Sequence, residues 1–190
     1  MDQAEIQKLK EDWGLKKFFP SLYEVAALKA LSHYPELKQA NIRIISRRHS
    51  FFLYSSRPSF TSLFRSPGQR KYLVFIQEEA KSSVVKKALL RNLPLDAQVG
   101  VLGHEFAHIA DYTKRNMLSL LLLALLYFLP FFRKKLERSI DCSVIQHGLR
   151  NELYIFASYL RSIRGFIEDN KWIEKYYLQP EEILKADSHC

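Results

Sequence analysis

Residues 97–110 read AQVGVLGHEFAHIA, and the fold turns on how this run is placed. It is apolar nearly all round, so a helix is expected over about 96–114 with its flanks inside the core. Positions four apart on a helix stack on one face, about 6 Å apart along the axis. His104 and His108 are so spaced, and two neutral imidazoles there can each give a nitrogen to one Zn²⁺. Glu105 lies about 100° round the helix, outside the ligand pair but within reach of a metal-bound water. Zinc makes such a water acidic, and a carboxylate beside it takes the proton. Surface histidines beside a solvated glutamate would suit a polar helix. In an apolar one these three groups need partners, and an ion supplies them.

Catalytic zinc sites usually carry three protein ligands and one open position. A continuation with Gly and His in the next turns is absent, because Asp111 and Lys114 occupy those positions. A carboxylate from a later helix is therefore expected. Glu137 and Asp141 are four apart and share a helical face. Glu137 is the candidate third ligand. Asp141 is the candidate acceptor of the free N–H of a zinc-bound histidine, fixing its tautomer and aim. Glu152 is the rival ligand. His147, Arg150 and Tyr154 follow Glu137, and of these Tyr154 and His147 are the candidates for stabilising a developing oxyanion.

His104-Glu105-x-x-His108 followed by Glu137-x-x-x-Asp141 resembles the pattern of the gluzincin metallopeptidases. It is most similar to the small members called minigluzincins and to the membrane metallopeptidases that include the CaaX prenyl endopeptidase. The resemblance covers roughly residues 70–160. The segment reads ERSID, with Ile140 where the membrane relatives commonly carry a small residue. The resemblance implies a zinc-dependent peptidase acting on a peptide or protein substrate. It also implies a strand ahead of the zinc helix whose free edge pairs with extended substrate. Here that strand is 71–78, with Tyr72, Val74 and Ile76 on one face.

The rest of the chain suits one zincin-like domain over 1–190, with an apolar insertion at about 117–132. Hydrophobic residues make up 47% of the chain, which excludes a disordered class. A polar helix is expected over 3–12, opened by Asp2 with Glu5 completing a capping box. A second helix is expected over 22–34, with Ser21 as N-cap and Glu24 three residues on. Strand-like runs follow at 42–45, 51–56 and 71–79, with a turn at 66–69 between the last two. A helix is expected at 82–92, with Asp96 capping or opening the zinc helix, and a last short helix after Pro180. The fold class is α+β, a small antiparallel sheet followed by zinc-binding helices.

The net charge of +9 is spread along the chain, and no nucleic-acid motif accompanies it. A membrane surface is the better partner for that charge. The insertion carries Lys114, Arg115, Arg133, Lys134 and Lys135 on its flanks. As a helix, 118–132 spans about 22 Å, short of the roughly 30 Å of a bilayer core. A single crossing would also put His104 and His108 on one side and Glu137 on the other. The insertion is therefore either a monotopic element dipping into one leaflet or a packed helix covered by protein. Cys142 and Cys190 imply no disulfide framework, Cys142 reading as a small buried residue. With no apolar signal-type run at the start, a cytoplasmic site is expected, peripheral or monotopic on the cytoplasmic membrane face.

Three functional readings stand at this point. The first is a zinc metalloendopeptidase with Glu105 as general base. The second is a non-catalytic zinc-stabilised module that docks on membranes or partners. The third is a latent form whose N-terminal arm or C-terminal residues 187–190 block the site.

Overall fold

The computed structural model describes residues 3–48, 52–186 and 190. In chain order the elements are α1 (Gln3–Trp13), β1 (Lys17–Phe18), α2 (Ser21–Leu31), β2 (Asn41–Arg47), β3 (Tyr54–Pro58), β4 (Lys71–Gln77) and α3 (Ser83–Lys87). There follow α4 (Leu95–Thr113), α5 (Met117–Leu126), α6 (Pro130–Gln146), α7 (Arg150–Ser162), α8 (Phe166–Asp169), α9 (Trp172–Tyr176) and α10 (Pro180–Lys185). The class is α+β.

The four-stranded sheet has the order β1-β2-β4-β3. It is mixed, not antiparallel as expected: β1 and β4 run parallel to β2, and only β3 runs antiparallel to β4. The reason is the connections. Helix α2 returns the chain to its starting end between β1 and β2, which makes that pair parallel. The chain then skips one place to lay down β3 and turns back through residues 59–70, so β4 fills the gap. Strand β4 is therefore paired on both sides and offers no free edge. Tyr72, Val74 and Ile76 are wholly buried in the core rather than set at a substrate edge. The free edge next to the zinc-helix candidate is that of β3.

Helix α4 is the centre of the molecule. Residues 99–110 are buried without a break, and the helix packs against α7, α2, β3 and α6. Close approach to α7 depends on Gly100, where a Cβ would overlap the backbone carbonyl of Glu152. At Gly103 the one tight contact is a side chain, with Leu149 Cδ1 2.7 Å from a Cβ position and the Tyr34 hydroxyl and Val144 Cγ1 at an ordinary 3.8 Å. Lys29 Nζ on α2 meets Asp96 Oδ1 at 3.1 Å in the first turn of α4.

Several local expectations shift. Pro20, not Ser21, is the N-cap of α2, and no side chain caps it; the helix stops at Leu31, short of 34. The 82–92 helix divides into α3, capped by Ser82, and a 3-10 turn at Leu90–Asn92. Strand β3 begins at Tyr54, later than the apolar run suggests. The insertion is two helices, α5 and α6, bent by 118°. Pro130 starts α6, where its missing N–H is not needed by the helix. Cys142 and Cys190 form a disulfide. They lie 48 positions apart in the sequence, and α10 packs back onto α7 ahead of the chain end. The Asp2 cap and residues 187–189 lie outside the described residues.

The glycine contacts give a stability test. Gly100→Ala should destabilise by about 1–3 kcal/mol, because backbone must move to admit the methyl. Gly103→Ala should cost clearly less, since Leu149 can rotate and alanine favours the helix by about 1 kcal/mol. Urea denaturation midpoints of the two variants check the order.

Candidate metal centre

Helix geometry and one helix–helix contact build the site. Helical spacing sets the imidazoles of His104 and His108 side by side on α4, ring centroids 4.9 Å apart. Helix α6 crosses that face and delivers Glu137. Its Oε2 lies 3.2 Å from His104 Nε2 and 3.3 Å from His108 Nε2. All three residues are buried, and one ligand atom from each falls within 4.8 Å of the others.

Asp141, one turn further along α6, holds the cluster in place. Its Oδ1 is 2.9 Å from His104 Nδ1, and its Oδ2 accepts the Leu178 backbone N–H at 2.8 Å. The contact with a His104 ring nitrogen is the one expected of it. With Nδ1–H given to Asp141, a neutral His104 turns its Nε2 lone pair toward Glu137 Oε2. Without an ion, protons on the two Nε2 atoms satisfy Glu137 Oε2. With those protons gone, two imidazole nitrogens and a carboxylate oxygen converge as a buried donor set that fits a divalent ion. Two further buried atoms, His108 Nδ1 and Glu105 Oε2, have no hydrogen-bond partner within the described chain.

The electrostatics follow from burial and pairing. Burial works against charge on Glu137, yet the two histidines outweigh it and hold the carboxyl well below its usual range. Burial also opposes charge on His104, but Asp141 and Glu137 together push its pKa up. Glu105 goes the other way: burial raises it, and the histidines offset that only in part. The two glutamates thus occupy different environments, which move their carboxyl groups in opposite directions.

Three tyrosines surround the cluster, and the sequence reading missed all three. Tyr127, at the C-terminus of α5, donates its O–H to Glu137 Oε1 at 2.6 Å. Tyr112 stacks on His108 with centroids 6.0 Å apart. The Tyr177 ring lies 5.4 Å from that of His104. A signal for Tyr127 existed: it is the one aromatic hydroxyl in the apolar run at 117–132. Tyr112 sits four residues after His108, on the same face.

Tyr154 and His147 do not reach the site. His147 caps the C-terminus of α6, stacks on Tyr34 and places Nε2 3.0 Å from Glu36. Tyr154 packs against the core on α7. The expectation took them as continuing the Glu137 helix. That helix stops at Gln146, and Gly148 at φ +81° turns the chain into α7 on a new course. Arg150 points to the Leu184 carbonyl. Glu152 is not part of the ligand group, its backbone being pressed against Gly100.

A groove bounded by β3 on one side and α5 on the other leads to His104, Glu105, His108 and Glu137. A second, apolar cavity lies across His104 and Glu105, walled by residues such as Leu153, Phe156 and Trp172.

The donor set has measurable consequences. The chain should bind one equivalent of divalent metal, with Glu137→Ala abolishing stoichiometric binding. Tyr127→Phe and Asp141→Asn should each weaken it about 10–100-fold. Affinity should rise with pH, because the ion must displace the proton that His104 retains above the ordinary histidine range. Titration against a chromophoric chelator at several pH values reads all of these.

Comparison with known protein families, with curated proteins and with solved structures finds no match to this chain. The donor set and its geometry are therefore what assign chemistry to it.

Proposed function

We propose that this chain is a zinc-dependent metalloendopeptidase of the gluzincin type. The observation that carries this reading is a two-histidine, one-carboxylate donor set with a buried carboxylate, Glu105, beside it and outside it, whose Oε2 has no hydrogen-bond partner among the described residues. That set suits zinc with one coordination position open. When bound, the ion would supply Lewis acidity for hydrolysis of a peptide carbonyl.

The chain's own residues supply the rest. Glu105 is the general base that takes a proton from the attacking water and returns it to the leaving amine. Burial raises its pKa toward neutrality, where a carboxylate exchanges protons more evenly. Asp141 fixes the His104 tautomer, and Tyr127 restrains the orientation of the Glu137 carboxylate. Strand β3 runs along the groove with its outer edge unpaired by any described strand. An extended peptide added there would be held by backbone hydrogen bonds with little demand on sequence. This replaces β4 as the substrate strand.

One observation favours a second reading, a zinc-stabilised module without turnover: α5 walls the groove, and its Tyr127 is tied to a ligand. Peptide cleavage separates the two. Wild-type protein loaded with zinc should cleave members of a quenched-fluorescence peptide library. Glu105→Gln should bind zinc normally and lose at least about 100-fold in rate. Hydrolysis undiminished in Glu105→Gln would reject that role, and zinc binding with no cleavage by wild type would support the module.

A further inference from the structure

The α5–α6 corner exposes apolar side chains that no described residue covers. Leu120 and Leu123 turn inward to the core, while Leu118, Leu121, Leu125, Phe128 and Phe131 face outward. Phe128 is 83% exposed and Phe131 82%. Across the groove, the connection between β3 and β4 exposes Phe60 and, at 83%, Phe64. Phe60, Leu121 and Phe128 line the same groove mouth. The two lips are clipped together by Arg70. This buried side chain donates to the Arg65 carbonyl on one lip at 3.0 Å and to the Arg115 carbonyl on the other at 2.7 Å. The result is one apolar surface.

Its charge is one-sided. The sequence has no Asp or Glu between Glu36 and Glu78, nor between Asp111 and Glu137. Those two stretches supply both lips. They also supply basic residues beside the apolar side chains, with Arg65, Lys114, Lys134 and Lys135 exposed. A large apolar patch on a soluble surface marks an interaction site. A second copy of this chain would bring two acid-free basic faces together, which like-charge repulsion disfavours. An anionic lipid surface complements both features at once, taking the apolar side chains among the acyl chains and the lysines among the headgroups. No single described helix is long and apolar enough to cross a membrane, and the 118° bend presents a corner rather than a span.

We infer that the α5–α6 corner and the Phe60–Phe64 lip form a monotopic docking surface for anionic membranes. Docking places the mouth of the groove at the headgroup boundary, so the site is approached from the membrane surface. The inference does not depend on peptidase activity.

The test is flotation of the whole chain with vesicles of phosphatidylcholine alone and of phosphatidylcholine with about one third phosphatidylglycerol. Binding should be at least roughly tenfold stronger to the anionic vesicles and should weaken in high salt. Phe128→Glu with Phe131→Glu should reduce it roughly tenfold or more, and Lys134→Glu with Lys135→Glu should remove the preference for anionic lipid. These positions are exposed, so melting temperatures should stay at the wild-type value, and sedimentation should show the same species for each variant. No flotation with either vesicle overturns the inference. So does a wild-type dimer that Phe128→Glu with Phe131→Glu splits into monomers while vesicle binding is unaltered.

Discussion

A carboxylate buried between two imidazoles is the constraint on which the rest of the structure depends. Taking Glu137 out of water is costly unless positive charge or donors meet it. His104, His108 and Tyr127 do so, and Asp141 sets the orientation of the first of them. These contacts require α6 to cross α4 at one register only. The close approach of α7 at Gly100 braces α4 from another side. A slip of one residue along either helix would turn the cluster's partners away from one another and leave charges stranded in an apolar core.

Much of this was legible beforehand, for a definable reason. Helical periodicity is a local rule, so the spacing of His104 and His108, and of Glu137 and Asp141, translated directly into shared faces. The near-total burial of 97–110 followed from its composition. What was not legible depended on pieces distant in sequence. Strand runs were visible, but nothing local told that β4 would slide between β2 and β3, and so the substrate-edge assignment fell on the wrong strand. The Cys142–Cys190 pairing had the same cause. Tyr154 and His147 were misplaced because the break at Gly148 redirects the chain. Tyr127 was hidden in a run whose apolar character drew attention to lipid and away from its single aromatic hydroxyl.

The insertion turns out to serve two neighbourhoods. Its inner side reaches the ligands through Tyr127 and walls the groove, while its outer side is apolar and exposed. Tyr127 links the two sides through one hydrogen bond to Glu137.

The central claim is that His104, His108 and Glu137 converge on one divalent ion and leave a coordination position free. The most direct measurement is anomalous diffraction at the zinc edge from crystals grown with zinc. The account requires a single strong peak about 2.0–2.2 Å from Nε2 of both histidines and from a Glu137 oxygen, with Glu105 not bonded. A peak elsewhere, or an ion held by the histidines with Glu137 beyond bonding range, would contradict it.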